Sequence, residues 1–543
     1  MTASLRCAAE AWLADDPDPA SRDELRALLD DETELADRFA GPLRFGTAGL
    51  RGPLRAGPNG MNLAVVRGAA AGLVRWLAAQ AAGPDDRPLV IGYDARHGSH
   101  AFAVETARVA TGAGRRALLM PRPLPTPLLA FAVRRLGAVA GVMVTASHNP
   151  PQDNGYKVYL HDGAQLVPPA DAGIERAIRE VGPLADVPLG PPGEVLGEQI
   201  VREYVDAAVG VIDPEVPRDL AVAYTPMHGV GREVFEATLA AAGYPAPSVV
   251  AEQAEPDPDF PTVAFPNPEE PGASDLLLAL AAREGADIAI ANDPDADRCA
   301  VAFRSGEQWR QLRGDEVGVL LADHLMRRGV RGRYATTIVS SSLLSRLCAD
   351  RGLPYGETLT GFKWIVRAGP DGIDGADLAY GYEEALGYCV APELVRDKDG
   401  ITAALLVCEL AAGLKAELRT LGDRLDELAL RHGVHATDQL SVRVEDLAEI
   451  TAMMATIRSH PPAELLDEPV TSIEDRLPDS DVLILRAGAS RVVVRPSGTE
   501  PKLKAYLEVV EPVAGGDIAG ARERAAAALV ALRTQTAEAL GLR

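Results

Sequence analysis

Short, wholly apolar runs alternate with longer stretches of helical periodicity along most of the chain. From Asn62 to Pro150 the pattern predicts a helix over Leu63 to Ala81, a strand at Leu89 to Tyr93, a helix from Ser99, a strand at Ala117 to Met120, a helix over Leu128 to Leu136 and a strand at Val139 to Val144. Strands without polar alternation are buried on both faces, as parallel strands are, so βαβ units are expected. Ahead of them, Ser21 and Glu24 make a capping box for an amphipathic helix carrying Leu25, Leu28, Leu29 and Leu35. Beyond Pro150, Asp153 to Tyr156 is predicted as a turn and Lys157 to Leu160 as a strand.

The pattern then repeats. Leu220 to Tyr224, Val249 to Ala251, Asp287 to Ala291 and Cys299 to Phe303 are predicted strands, and proline-rich Pro256 to Pro271 is predicted as a long surface loop. A third unit has a strand at Ala335 to Val339, a helix at Leu343 to Asp350, a short strand at Leu378 to Tyr380 and a long helix over Ile401 to Leu418. The last has a helix at Glu445 to Ile457, strands at Val482 to Leu485, Val492 to Val494 and Ala505 to Val510, and a helix from Asp517. A chain of 543 residues exceeds what one core supports, so three to four domains are expected. The boundaries are drawn at 1–210, 211–330, 331–437 and 438–543, the first at a Pro- and Gly-rich stretch from Val187 to Gly197 and the helix after it.

A formal charge of −24 argues against nucleic acid or an anionic membrane as partner, since both need a basic face. The five cysteines are scattered and form no CxxC pair, which points to reduced thiols and a cytoplasmic location. No stretch reads as a secretion signal or a membrane span.

Five loops carry candidate chemistry. Thr145-Ala146-Ser147-His148-Asn149-Pro150 follows a buried strand, where open α/β sheets place reactive groups; Ser147 alone reads equally as a cap or turn serine. Asn292-Asp293-Pro294-Asp295-Ala296-Asp297-Arg298 sets three carboxylates at alternating positions between two strands, the ligand type of a hard divalent cation. An EF-hand fails here, because Arg298 and Arg304 stand where glycine and glutamate are needed. Arg495-Pro496-Ser497-Gly498-Thr499-Glu500 offers a bidentate donor, hydroxyls and backbone N–H groups to a phosphate, or else is a turn closed by an Arg495 to Glu500 ion pair. Gly381 to Gly387 holds Glu383 and Glu384, suited to sugar hydroxyls or to plain surface charge, and Phe45 to Gly52 holds Thr47 and Arg51 between glycines.

In order and wording these loops resemble the α-D-phosphohexomutase superfamily, the phosphoglucomutases and phosphomannomutases, over about Gly41 to Val510. The resemblance implies an α/β fold with four domains around a central cleft, three related α/β domains with mixed sheets and a smaller α+β C-terminal domain. It implies Ser147 as the phosphorylated serine, and Asp293, Asp295, Asp297 and the phosphoserine oxygen as Mg²⁺ ligands. Lys157 and His148 match acid/base positions, with Lys157 favoured, since neighbouring cations and desolvation lower a lysine's pKa. Arg51 matches a catalytic cation, Arg298 a phosphoryl contact, and Thr47 a donor in the same cleft. Thr360, Glu383 and Lys398 match sugar-phosphate contacts, and Arg495, Ser497, Gly498 and Thr499 the distal phosphate clamp. The expected activity moves a phosphoryl group between C1 and C6 of glucose or mannose phosphate through a sugar 1,6-bisphosphate, in a monomer or homodimer. Ala385 stands where the family's sugar loop usually has serine. That loop and Pro256 to Glu270 are similar to the phosphopentomutase and glucose-1,6-bisphosphate synthase branch, which keeps both activities as alternatives. From other classes, a metal-dependent phosphatase would not need the sugar and distal-phosphate loops, and a non-catalytic sugar-phosphate binding protein would not need Ser147 beside three aspartates.

Overall fold

The computed structural model describes residues 2–46, 48–81, 83, 85–369, 378–444, 446–497 and 502–542. The first sheet contains β1 (Leu50–Pro53), β2 (Leu89–Tyr93), β3 (Ala117–Leu119), β4 (Ala140–Val144), β5 (Asp153–Leu160) and β6 (Glu194–Val195), in the order β1-β5-β4-β2-β3-β6. The second contains β7 (Val222–Thr225), β8 (Ser248–Val249), β9 (Ile288–Ala291), β10 (Ala300–Ser305) and β11 (Gln308–Gln311), ordered β11-β10-β9-β7-β8. The third contains β12 (Arg333–Thr337), β13 (Tyr355–Thr358), β14 (Leu378–Glu383) and β15 (Gly387–Cys389), ordered β13-β12-β14-β15.

These three sheets share one plan. Parallel strands fill the middle, and the last of them turns into an antiparallel neighbour: β4 into β5, β9 into β10, β14 into β15. Each connecting loop carries one non-glycine residue in the left-handed region: Ser147 at φ 52°, Ala296 at 52° and Leu386 at 60°. Such residues cost about 1 to 3 kcal/mol and persist where the surroundings fix them.

After a small pair, β17 (Glu464–Leu465) with β18 (Glu468–Pro469), the last sheet is antiparallel throughout. It is ordered β16 (Val434–Arg443), β22 (Lys502–Glu511), β21 (Ser490–Pro496), β20 (Leu483–Ala487) and β19 (Ser472–Asp475). The helix Ile518–Ala539, expected from Asp517, packs across it with Asp517 as its cap.

The helix Gly400–Ala416 is buried on nearly every side and sits in a core shared by residues of the first three sheets. An all-round apolar helix belongs inside a large core. Asp399 caps it, accepting from the N–H groups of Ile401 and Thr402, which brings this end to the metal loop. Gly400 is required there: a Cβ would lie 2.3 Å from the Arg298 carbonyl oxygen.

Four local expectations change. Asp153 to Tyr156 is strand, because β1 pairs with it from Leu50↔Tyr156 to Pro53↔Asp153. The N-terminal cap is Asp18, which accepts from Ala20 N, while the Ser21 hydroxyl donates to Asp16 inside the helix Pro19–Ala27. β14 runs on to Glu383, so less of Gly381 to Gly387 is loop than predicted. The Pro256 to Pro271 segment holds no helix or strand, as expected, yet it is partly core: Phe260 is buried and stacks on Arg96, 4.8 Å from ring centroid to guanidinium carbon.

The C-terminal sheet docks on the third sheet through Ile338 and Val339 against Val482, Ile484, Val493 and Tyr506. Beside this apolar patch, buried Glu508 pairs with Arg491 at 2.9 Å and His435 at 3.3 Å. Burial alone would raise the Glu508 pKa, but His435 and Arg491 outweigh it and hold it at about 2. A folded-state value below the unfolded one of about 4.3 contributes stability above pH 4.3 and loses it as pH falls towards 2, about 3 kcal/mol in all. Hydrogen-exchange protection factors in β21 and β22, corrected for the intrinsic pH dependence of exchange, are therefore expected to fall between pH 5 and 2, and Glu508→Gln to flatten that dependence; an unchanged profile in the variant would assign the acid sensitivity elsewhere.

Candidate active site

All three connecting loops meet at one place. Thr126 N donates to Asp295 O at 2.9 Å, Cys299 N to Leu386 O at 3.1 Å, and Gly400 N to Ala296 O at 3.2 Å. Arg298 forms an isolated bridge with Gly387. Backbone bonds thus fix the metal loop against the sugar loop, Thr126 and the start of the central helix, and the Ser147 hydroxyl joins the serine loop to it.

Ser147 is buried, and its hydroxyl donates to Asp293 Oδ2 at 2.8 Å, with His148 Nδ1 3.3 Å away. Its N–H donates to Thr145 Oγ1. The loop is held from beneath by Arg96, whose guanidinium donates to the carbonyls of Ser147 at 2.6 Å, Asn149 at 2.5 Å, Pro150 at 2.8 Å and Asp153 at 3.2 Å. Arg51 donates to Asn149 Oδ1 at 2.8 Å. Gly49, at φ 75°, passes so near β5 that a Cβ would lie 1.9 Å from Tyr156 O.

Asp293, Asp295 and Asp297 have no exposed surface, and one oxygen from each lies within 4.8 Å of the others. Lys157 Nζ reaches Asp295 at 2.8 Å and Asp297 at 3.2 Å, Lys398 Nζ reaches Asp297 at 3.3 Å, and Arg298 Nε lies 3.9 Å from Asp293 and Asp297. Burial and the neighbouring carboxylates push the Asp293 pKa well up, whereas Lys157 and Thr126 overcome burial and hold Asp295 ionised. Burial acts against the Lys157 charge, but Asp295 and Asp297 outweigh it and raise its pKa. The expected lowering of Lys157 is therefore reversed: carboxylates, not cations, are its nearest neighbours. Burial, then Arg298 and Arg51, lower the His148 pKa well below that of a free imidazole.

Asp295 Oδ1 and Asp297 Oδ1 are buried without a hydrogen-bond partner among the described residues. Three buried carboxylates with two spare oxygens suit a hard divalent cation, held by Asp293, Asp295 and Asp297.

Around this centre, Arg298 Nη1 donates to Ala385 O at 2.7 Å and lies 3.7 Å from Glu269. Burial raises the Glu383 pKa against the pull of Lys398 and Arg298. Lys398 is flanked by Asp397, which accepts from Tyr159 OH and Gln165 Nε2, each at 2.7 Å. Thr360 is half-buried in the loop after β13. Arg495 lies on β21 opposite Lys504, and Ser497 N donates to Lys502 O at 2.7 Å. Thr47, Gly498, Thr499 and Glu500 lie outside the described residues, and with them the Arg495 to Glu500 ion pair. Sequence reasoning missed Arg96 and Thr126, the latter donating to Asp295 Oδ2 at 2.6 Å. Both follow the carboxyl ends of parallel strands, the position that had singled out Ser147.

A repeated α/β plan converging on a buried serine and a three-aspartate centre defines a phosphosugar-mutase type of protein. The chain belongs to the phosphoglucomutase/phosphomannomutase family: its alpha/beta/alpha domains I, II and III match residues 42–183, 202–306 and 313–430, and its C-terminal domain matches 440–525. It is 45% identical over 462 residues to a probable phosphomannomutase of Haemophilus influenzae, covering 83% of this chain and 93% of that one. It is 34% identical to a Staphylococcus aureus phosphoglucomutase over 89% and 92% of the two chains, and 33% identical to a Mus musculus phosphopentomutase over 95% and 92%. A crystal structure of a putative phosphomannomutase from Thermus thermophilus aligns with a TM-score of 0.71 at 28% identity, over 90% of this chain and 99% of that one. The protein is an intramolecular phosphotransferase, an isomerase of the mutase type. No helix among the described residues is long and apolar enough to cross a membrane.

Adding a divalent cation to metal-stripped protein is expected to raise Tm, since an ion at a hundred times its Kd stabilises the folded state by about 2.7 kcal/mol. Asp295→Asn should abolish most of that rise in differential scanning calorimetry. An equal rise in the variant would place the ion elsewhere.

Proposed function

We propose that the protein moves a phosphoryl group between C1 and C6 of glucose or mannose phosphate by way of phosphorylated Ser147 and a sugar 1,6-bisphosphate. The observation that carries this reading is the Ser147 hydroxyl held 2.8 Å from Asp293 at the edge of the three-aspartate centre. A phosphoryl group on that oxygen would lie beside Asp293, which Arg298 Nε approaches to 3.9 Å, where charge neutralisation is the main catalytic need. Asp293, Asp295, Asp297 and the phosphoserine oxygen would hold Mg²⁺, which would supply charge stabilisation to the phosphoryl oxygens.

In the first transfer the bond from phosphorus to Ser147 Oγ breaks as one forms to a sugar oxygen; the sugar hydroxyl gives up its proton, and Ser147 Oγ recovers one. In the second the bond from phosphorus to the other sugar oxygen breaks as one forms to Ser147 Oγ, which gives up its proton while the sugar oxygen gains one. Beside the cation ligand Asp293, whose Oδ2 lies 2.8 Å from Ser147 Oγ, His148 Nδ1 at 3.3 Å is the proton-exchanging group on geometry, while Lys157 bridges the aspartates. The bisphosphate then turns over, so that its other phosphate returns to Ser147. Glu383, Lys398 and Thr360 receive the sugar, Arg51 lies on the serine side, Thr47 serves as a donor to substrate, and Arg495, Ser497, Gly498 and Thr499 hold the distal phosphate. The phosphopentomutase relatives and Ala385, which offers only its carbonyl, keep a pentose phosphate as the second reading.

Intact-protein mass measurement after incubation with glucose 1,6-bisphosphate and Mg²⁺ is expected to show one added phosphoryl group, lost in Ser147→Ala. That variant should lose at least about a thousandfold in kcat. Undiminished turnover by it would move the nucleophile elsewhere. Across glucose, mannose, ribose and deoxyribose 1-phosphates, kcat/KM should favour a hexose. Ala385→Ser should shift the hexose-to-pentose ratio, and an unmoved ratio would remove position 385 as selector.

A further inference from the structure

One face of β21 and β22 runs from the domain interface to the distal loop as a row of cross-strand pairs: Arg491 opposite Glu508, Val493 opposite Tyr506, Arg495 opposite Lys504. Residues two apart on a strand share a face, so Arg491, Val493 and Arg495 point the same way. The first two pairs are docked on a single segment of the third domain, Thr337 to Ser342. Buried Arg491 donates to the carbonyls of Ser340 and Ile338 while paired with Glu508. Glu508 Oε1 accepts from Ser341 Oγ at 2.9 Å and Ser342 N at 2.7 Å. Val493 and Tyr506 pack on Ile338 and Val339.

The same segment holds the sugar loop from its other side. Ser340 Oγ donates to Glu384 Oε2 at 3.1 Å and accepts from Glu384 N at 3.2 Å, and Thr337 Oγ1 reaches the same carboxylate at 3.2 Å. Asp315 accepts from Ser341 N at 2.7 Å and from Tyr382 OH at 3.2 Å, which ties the residue before Glu383 to the segment as well. Tyr506, between the two ends, hydrogen-bonds Arg495.

We propose that Arg491 and Ser340 are positioning residues which couple the Arg495 strand to the Glu383 and Glu384 loop, so that an anionic group at Arg495 and the hydroxyls at the sugar loop are sensed as one unit. The proposal rests on the reading that these two loops receive the two ends of a phosphosugar. A buried guanidinium that loses its carbonyls is left unsatisfied, so tilting the C-terminal sheet drags Ser340 with it. Ser340 is bonded to Glu384 through both its hydroxyl roles, and the sugar loop follows. Coupling through packed polar chains of this kind changes affinities by about two- to thirtyfold.

A double-mutant cycle of Ser340→Ala and Arg495→Ala, read with α-glucose 1-phosphate, tests the link. Each single variant is expected to raise KM about tenfold with kcat changed less than about threefold, and the double variant to fall short of the product of the two by about fivefold or more. Effects that simply multiply would overturn the coupling. Hydrogen exchange gives a readout that does not depend on turnover. Inorganic phosphate, as a probe of the Arg495 loop, should slow exchange in residues 378–389 of the wild-type protein and not in Arg491→Lys, with each variant's Tm measured alongside. Equal protection in both, or none in the wild type, would also overturn it. If no sugar phosphate were turned over, the proposed function would fall while the exchange experiment still decided the coupling.

Discussion

Three carboxylates buried within the five residues from Asp293 to Asp297 are the constraint on which the rest of the structure depends. Ionised carboxylates out of water are costly unless paired, and three together repel. The compensating cations come from three places: Lys157 from β5, Arg298 from the metal loop itself and Lys398 from the start of the long central helix. Charge compensation thus draws the first three domains to one point. Although the chain carries −24 overall, Lys157, Arg298 and Lys398 gather at its centre, each paired with the buried carboxylates.

The fold answers this constraint with one device used three times. A parallel strand ends in a short loop, a single left-handed residue reverses the chain, and an antiparallel strand leads away. Ser147, Ala296 and Leu386 occupy the reversing position. At the first the left-handed residue is the serine itself, which aims its hydroxyl at Asp293. At the other two it is apolar and buried, so the polar neighbours face the cleft. Backbone bonds between the loops, Cys299 N to Leu386 O and Gly400 N to Ala296 O, keep the reversed chains in register. Such preorganisation fits phosphoryl transfer, where positioning and charge carry most of the catalysis.

The C-terminal sheet stands apart in plan, being antiparallel throughout, and also in attachment. It meets the site through the Thr337 to Ser342 segment, by a small apolar patch and the Arg491 and Glu508 pair, rather than through the shared core. A domain held by few contacts at one edge can shift relative to the cleft, whereas the first three, sharing the helix Gly400–Ala416, form one packed body.

Much of this was legible in the residues. Apolar runs without alternation marked β2, β4 and β9 as buried parallel strands, and the loops after them stood out because polar residues at such strand ends have little structural reason to cluster. The metal loop was legible because three alternating aspartates need a cation whatever surrounds them. What remained hidden depended on partners far along the chain. Asp153 to Tyr156 looks like a turn because glycine and asparagine favour turns, yet β1, a hundred residues earlier, pairs with it and makes it strand. Phe260 in a proline-rich stretch shows no periodicity, and only Arg96 from another domain gives it a place in the core. The proton affinity of Lys157 was misjudged for the same reason: spacing places it near the serine loop but does not say that Asp295 and Asp297 lie nearer than any cation. The sequence by itself determined the kinds of group at the site and the strands that deliver them, because these follow from local periodicity and residue chemistry. Only the tertiary structure decided which charges touch, since the pairing of Ser147 with Asp293 and of Lys157 with Asp295 spans well over a hundred residues and is set by how separate domains pack.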